Sequence, residues 1–290
     1  MAATTTTTLS EFIQSAILRA VPNEIAPHLF FPGCACAGAI QLKDLTQKSS
    51  ITAAHNKYGS LTAYGASEGT DYTTTQALDP TATSVTATEH VVQGVLTDLA
   101  AKALTTPNDY EEYMDDVAAE HIAAIMTKYD VDILTLLQSL DAGVTNTGVN
   151  LTNAHVLECV AACAAANMPK PWYGFLHTTQ YADLVNEAGT PFANAAASGP
   201  KANEFYSDYF IGNFYSVNWF VNTNVPTANA TADRGGGIIS SRAFGATISM
   251  MPTMTTERDQ SLRGDEILTV MQYGVGEIDG SMGMYLISDA

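Results

Sequence analysis

The sequence predicts an α+β fold, in which one long helix and several shorter ones accompany strands that lie far apart along the chain. Three observations support this class. Apolar residues recur at helical spacing over 106–140, short runs at 172–176 and 215–221 read as strands, and the chain ends in two further strands around a glycine-rich segment. At 290 residues the chain is long enough for one large domain or two ordinary ones.

Residues 1–45 are predicted to form a short helix followed by an irregular arm. Apolar spacing over 9–20 indicates a helix that Pro22 ends. Beyond it, prolines and a glycine interrupt apolar residues that look exposed in an extended segment, namely Leu29, Phe30 and Phe31. We expect this arm to need a surface to lie on, with Phe30 and Phe31 as candidate interface residues between subunits.

Residues 46–104 are predicted to begin with a long two-stranded loop. The runs 59–64 and 85–95 have the composition of strands, and the polar stretch between them would form a loose tip. A hairpin with so few apolar side chains is marginal in water when it stands alone. We therefore expect it to lie against another subunit, with Tyr64 in the contact.

Residues 105–149 contain the strongest helix prediction. Thr106 and Pro107 suit the N-cap and first positions, acidic residues fill the first turn, and apolar or aromatic residues from Tyr110 to Leu137 share one face. A helix running to about Leu140 would be about 45 Å long. A helix of that length spans a whole domain.

Residues 150–250 are predicted to alternate helices and strands. A helix capped by Thr152 or Asn153 should end at Asn167, a buried strand should cover 172–176, and a further helix should cover 179–188. A strand is expected at 215–221 and another at 238–248. The glycine triplet 235–237 between them is interpreted as a turn rather than a phosphate cradle, because it precedes a strand.

The C-terminal segment is predicted to be a charged loop at 257–265, a strand at 267–270, a glycine-rich turn at 273–276 and a closing strand at 284–287. The loop concentrates two of the chain's few arginines among acids. Arginine–carboxylate pairs set register across interfaces well, so Glu257, Arg258 and Arg263 are candidate interface residues. A merely solvated loop is the alternative.

Charge and motifs argue against several classes of protein. The net charge is −18, from 30 acidic and 12 scattered basic residues, which argues against sequence-specific nucleic-acid binding. No run approaches the roughly 20 apolar residues of a membrane span, and no basic residue precedes Arg19, so we expect a chain made in the cytoplasm with no membrane partner. Without hydrolase, zinc-protease or nucleotide-binding motifs, we predict no enzyme and no cofactor.

One histidine and four cysteines could form a zinc site. His155, Cys159 and Cys163 recur every four residues along one predicted helix, and Cys34 and Cys36 could complete the ligand set. We favour buried thiols packed among alanines, because free cysteine is among the most buried residue types. Whether these cysteines form disulfides stays open.

The order of elements resembles the Hong Kong 97-type fold of tailed-phage major capsid proteins. Two segments carry the closest likeness: the strand-to-helix step at 176–184, where Thr178 stands in place of the proline of many relatives, and the C-terminal segment. The resemblance implies an N-terminal arm at 1–45, an extended loop (E-loop) and the start of a peripheral domain at 46–104, a spine helix in the peripheral domain at 105–149, an axial domain at 150–250 and return strands of the peripheral domain at 251–290.

The resemblance also implies a function. Such a chain would assemble as pentamers and hexamers into an icosahedral shell around double-stranded DNA, without sequence-specific contacts. It would be assembled in the host cytoplasm and reside in the virion, with separate scaffolding, portal and decoration proteins as candidate partners. The alternatives are an encapsulin-like nanocompartment shell, a phage tail-tube protein and a Cys/His metalloenzyme.

Overall fold

The computed structural model describes residues 28–34, 36–59, 61–69, 71, 73, 75–77, 80–103, 107–187, 210–229 and 232–289, with the side chains of 101–112 and 210 set aside. The helix predicted over 9–20 and the arm before His28 lie outside these ranges. Within them the chain is a mixed helix-and-sheet fold, as the sequence predicts.

The described strands form two sheets and a separate hairpin. In chain order the elements are β1 (Gln41–Asp44), β2 (Thr52–Tyr58), β3 (Pro80–Thr86), β4 (Thr88–Thr97), α1 (Asp98–Ala103), α2 (Pro107–Thr135), β5 (Gly143–Asn146), α3 (Asn153–Ala165), β6 (Trp172–Leu176), α4 (Thr178–Asn186), β7 (Phe210–Phe214), β8 (Val217–Val221), β9 (Thr227–Ala228), β10 (Asp233–Ser240), β11 (Phe244–Asp259), β12 (Gly264–Glu277) and β13 (Gly283–Asp289). Sheet 1 has the order β1-β11-β12-β4. Sheet 2 has the order β5-β13-β10-β6-β8-β7, with β9 on β10, while β2 pairs with β3.

The predicted long helix is confirmed. Helix α2 has 29 residues and continues into a 3-10 turn at Leu136–Ser139, so its α-helical part is about 44 Å long. Many of its buried apolar side chains recur at steps of three and four, among them Met114, Ala118, Ile122, Ile125, Met126, Tyr129 and Ile133. This face packs on sheet 1, where the ring of Tyr129 meets that of Tyr273 edge to face at 4.9 Å.

The helix-and-strand order predicted for 150–187 is confirmed with small shifts. Helix α3 ends at Ala165, strand β6 covers the predicted residues, and α4 begins one residue early and ends two residues early. His177 caps α4, since its Nδ1 accepts the Thr179 N–H at 3.2 Å. The buried side chain of Gln180 accepts the His177 N–H at 3.0 Å and donates to Ser288 Oγ at 2.9 Å, which fixes α4 to β13.

The glycine triplet 235–237 is not the predicted turn. It lies inside β10, between β13 and β6. A Cβ atom on Gly236 would stand 2.5 Å from the carbonyl oxygen of Phe175 and 2.9 Å from Oε1 of Gln180. The backbone of β10 therefore lies closer to its neighbours than a side chain would allow, so close packing requires glycine at this position.

The extended loop differs from its prediction at both strands. Its first strand is β2, which ends at Tyr58, whereas the described residues 59 and 61–64 carry no strand. The predicted run 85–95 divides at Ala87: β3 belongs to the separate hairpin and β4 to sheet 1. One continuous β-prone run of sequence thus contributes a strand to the separate hairpin and another to sheet 1.

Two further strand predictions are corrected. The run 238–248 is interrupted at 241–243 and divides between β10 in sheet 2 and β11 in sheet 1. The strand at 215–221 is one arm of a hairpin whose turn is formed by Tyr215 and Ser216, with φ of 56° and 64°. Positive φ at both positions matches the twist of a two-residue hairpin turn.

The C-terminal hairpin is longer than predicted. Strands β11 and β12 pair from Phe244 opposite Glu277 to Asp259 opposite Gly264, so 273–276 is strand interior and not a turn. The final strand β13 pairs with β10 and β5 in sheet 2. The chain beyond residue 250 therefore contributes strands to both sheets, and the predicted domain bounds stay a prediction.

Candidate assembly surfaces

Phe30 and Phe31 do not lie on the surface. Their side chains are 1% and 3% exposed, with Phe30 packed on Phe175 and Phe31 edge-on to Tyr129. The prediction that they are exposed residues awaiting a neighbouring subunit is wrong, because the chain's own long helix and sheet 2 cover them. Both leave the set of candidate interface residues.

A buried carboxylate holds this part of the arm. Asp130 of α2 accepts the backbone N–H groups of Leu29 at 2.9 Å and Phe30 at 3.1 Å, and its Oδ2 lies 3.3 Å from His28 Nδ1. Asp130 is 0% exposed, and a carboxylate is tolerated there because these donors replace water. The sequence analysis missed Asp130, whose only signal is an acid on the apolar face of a helix.

The extended loop is anchored at its base and exposed beyond it. At the base, the buried His55 of β2 has its Nε2 atom 3.4 Å from Thr247 Oγ1 of β11. Beyond Tyr58, the side chains of Leu61 and Tyr64 are 57% and 53% exposed. Tyr64 is therefore accessible to another subunit, and the contact itself stays a prediction.

The charged end of the β11–β12 hairpin is tied to its own chain through Arg258. The guanidinium donates to both carboxylate oxygens of Asp98 at 2.6 and 2.8 Å, and to Asp265 at 3.3 Å. These bonds join α1, β11 and β12. Arg258 therefore already serves an intramolecular link at the position where the sequence predicted a contact with a neighbour.

Glu257 and Arg263, the other two predicted interface residues of this segment, are exposed. Arg263 stands in the hairpin turn with φ of 48°, and its carbonyl oxygen accepts the Asp98 N–H at 2.9 Å. Within the described ranges, no ion pair or hydrogen bond engages its guanidinium. Its charge is therefore available at the surface.

Sheet 1 has an apolar outer face that the sequence analysis missed. On the edge strand β4, Leu96 faces the core, whereas Val91 and Val95 point the other way and are nearly half exposed. Leu99, just after this strand, is 81% exposed. Apolar residues stand on both faces of β4, so its sequence lacks the alternation of apolar and polar residues that would distinguish the buried face from the exposed one.

The described residues show little chemistry. The four cysteines are free thiols, and burial raises the pKa of Cys34 to about 12 and that of Cys36 well above its ordinary value. Among the described residues, no cluster of His, Cys, Asp or Glu is arranged to hold a metal ion. No helix in those same ranges combines the length and apolar character that a membrane span requires.

Comparison with known proteins gives structural matches but no sequence matches. No protein-family model and no curated protein sequence matches the chain. Its structure is similar to the head structure of Helicobacter pylori bacteriophage KHP40, with a TM-score of 0.66 and 10% identity over 91% of both chains. It is also similar to the capsid of Ralstonia phage GP4, with a TM-score of 0.64 and 10% identity over 91% of this chain and 92% of that one.

A third match is to a chain of Mycobacterium phage Che8, with a TM-score of 0.61 and 15% identity over 82% of this chain and 84% of that one. These alignments span most of each chain. Sequence identity this low leaves the architecture as the shared feature. The chain has the Hong Kong 97-type fold of tailed-phage major capsid proteins.

Proposed function

We propose that this chain is the major capsid protein of a tailed phage, which assembles as pentamers and hexamers into an icosahedral shell around double-stranded DNA. The observation that carries the proposal is the fold, which matches phage capsid structures over most of its length. The subunit would be assembled in the host cytoplasm and reside in the virion. Scaffolding, portal and decoration proteins would be separate partners.

Exposed apolar side chains on two parts of the subunit support assembly. The outer face of sheet 1 carries Val91 and Val95, Leu99 follows in α1, and the loop beyond β2 carries Leu61 and Tyr64. Burial of apolar surface stabilises association by about 25 cal/mol per Å² before the cost of association is subtracted. A closed shell would cover such surfaces on every copy at once.

The charge of the chain supports a container that does not adhere to its contents. With a net charge of −18, the subunit repels phosphate overall. Lys57, Lys128 and Arg258 are already paired with carboxylates of the same chain. A wall of this kind confines DNA without sequence-specific contacts.

A nanocompartment shell is the second candidate, and one match favours it. The chain is similar to a virus-like particle from Pyrococcus furiosus, with a TM-score of 0.58 and 8% identity over 96% of this chain and 99% of that one. A shell of the same fold could enclose protein cargo instead of DNA. The two functions differ in contents and not in subunit architecture.

Expression of the chain alone, followed by velocity sedimentation, tests the shared part of both functions. We expect a fast-sedimenting species that a stable monomer or a short rod cannot produce. Particles isolated from the chain's natural source then separate the candidates. Nuclease-protected DNA supports the capsid, whereas a co-purifying protein cargo without DNA supports the nanocompartment.

A further inference from the structure

A pocket of about 380 Å³, lined by both charged and apolar side chains, lies at the base of the extended loop. Lys57 and Tyr58, at the end of β2, line one part of it. Arg242, in the connection between β10 and β11, and Asp279, just after β12, line another. Since β10 belongs to sheet 2 and β11 to sheet 1, the pocket stands where the loop meets the junction of the sheets.

One of the two cations in this pocket is already neutralised. Lys57 Nζ lies 2.6 Å from Asp279 Oδ1, and the N–H and Oγ of Ser281 donate to the same oxygen at 3.2 and 2.6 Å. Burial raises the pKa of Asp279, but the donors from Lys57 and Ser281 outweigh it and hold that pKa below its ordinary value. Asp279 is therefore a carboxylate at neutral pH, committed to Lys57.

The second cation has no such partner. Arg242 is exposed, and within the described part of the chain its guanidinium takes part in no ion pair or side-chain hydrogen bond. A guanidinium presents a planar set of donors that matches a carboxylate in bidentate geometry. Lys57, Arg242 and Asp279 together leave the pocket with one positive charge in a chain whose net charge is −18.

We propose that this pocket binds an aspartate or glutamate side chain presented by a second copy of the same chain. The charge of the chain selects the occupant, because 30 acidic residues against 12 basic ones make carboxylates the commonest charged groups that another copy can offer. A nucleic-acid phosphate is a poorer occupant, since one uncompensated cation does not offset the repulsion of the whole subunit. The inference rests on the proposed shell assembly and adds a specific polar contact to it.

Charge reversal at Arg242 is the first test. Purified, DNA-free Arg242→Glu subunits should give about tenfold fewer particles than wild type, with an unchanged circular dichroism melting curve. The matched control is Lys48→Glu, an exposed cation outside the pocket, which should assemble at wild-type yield. Wild-type particles together with normal yield from Arg242→Glu reject the pocket contact and leave the shell function standing. Failure of the wild-type chain itself to assemble rejects both.

Cross-linking gives a second readout that does not depend on yield. Particles of Arg242→Lys, assembled from equal parts of ¹⁴N- and ¹⁵N-labelled subunits, are treated with a zero-length carbodiimide that joins amines to carboxylates. We expect mixed-isotope peptides that join position 242 to an acid of another copy. Cross-links confined to one copy, or none at 242, overturn the proposal. In a separate experiment, Arg242→Glu particles that form in cells at normal yield but retain less DNA than wild type would assign the pocket to phosphate and overturn the proposal equally.

Discussion

The carboxylate of Asp130, near the C-terminal end of the long helix, accepts the backbone N–H of Leu29 at 2.9 Å, from 101 residues earlier in the chain. The same carboxylate accepts the Phe30 N–H, and the side chains of Leu29 and Phe30 are buried in the core. One acid thus fixes a segment without regular secondary structure between the long helix and sheet 2.

Loss of this carboxylate should destabilise the subunit strongly. Asp130→Ala leaves two buried backbone N–H groups without an acceptor, so we expect a loss of about 3–5 kcal/mol in the free energy of unfolding. Urea denaturation of unassembled subunits measures it. Asp116→Ala, at an exposed position of the same helix, is the control and should stay within about 0.5 kcal/mol of wild type. Equal effects of the two variants would show that the Asp130 contacts contribute nothing specific.

Gly236→Ala should disturb sheet 2. The added Cβ would stand 2.5 Å from the carbonyl oxygen of Phe175, and neither paired backbone can move away independently. We expect a loss of about 1–3 kcal/mol or more, seen as a lower urea midpoint. Gly59→Ala is the control, since a Cβ there has no atom within 4 Å. A wild-type midpoint for Gly236→Ala would contradict the packing role of the triplet.

A charge swap tests whether Arg258 pairs within its own chain or with a neighbouring subunit. Arg258→Asp alone should lower particle yield whether its partner is in the same chain or in a neighbour. The double variant Arg258→Asp with Asp98→Arg restores the intramolecular pair, and we expect it to recover most of the yield. Arg263→Glu removes a charge that has no partner in the described residues, and we expect it to block assembly without lowering subunit stability. Failure of the double variant to recover would place the partner of Arg258 in a neighbouring subunit.

Stability should fall as the pH drops below about 6.5, partly because of His121. Burial lowers the pKa of this side chain, which lies on the long helix with Nδ1 3.0 Å from Thr269 Oγ1. The unfolded chain therefore takes up its proton at a higher pH than the folded one. The stability that this histidine contributes is complete above its unfolded pKa and is lost as the pH falls through the window between the two pKa values.

The matching variant is His121→Gln, whose side chain does not titrate. Urea midpoints measured at about pH 7.5 and pH 5.5 should differ less for this variant than for wild type, since one linked proton is gone. Buried His55 and His177, whose pKa values are also lowered by burial, keep some pH dependence in both proteins. An identical decline in the two proteins would show that His121 does not carry it.

Local sequence patterns predicted helices α2, α3 and α4 and the buried strand β6, because the signal for each lies within its own segment, whereas α1 was not predicted. The face of α2 repeats every three or four residues, and Thr152 stands directly before α3. The division of single β-prone runs between two sheets, at Ala87 and at 241–243, has no such local signal. Sheet membership is decided by partners far along the chain.

The candidate interface could be predicted only in part for the same reason. Tyr64, Glu257 and Arg263 are exposed as expected, because polar or loop surroundings predict exposure reasonably well. Phe30 packs on Phe175 with its N–H bonded to Asp130, a hundred residues away, and Phe31 packs on Tyr129, so both are buried. The sequence of an apolar arm does not indicate whether its own domain or a neighbouring subunit covers it.

Electron cryo-microscopy of particles formed by the purified chain alone tests the central claim most directly. The account predicts closed icosahedral shells in which this subunit forms pentamers at the vertices and hexamers between them, with the outer face of sheet 1 covered by a neighbour. A protein that remains monomeric in every buffer, or that assembles only into rods or small rings, would contradict it.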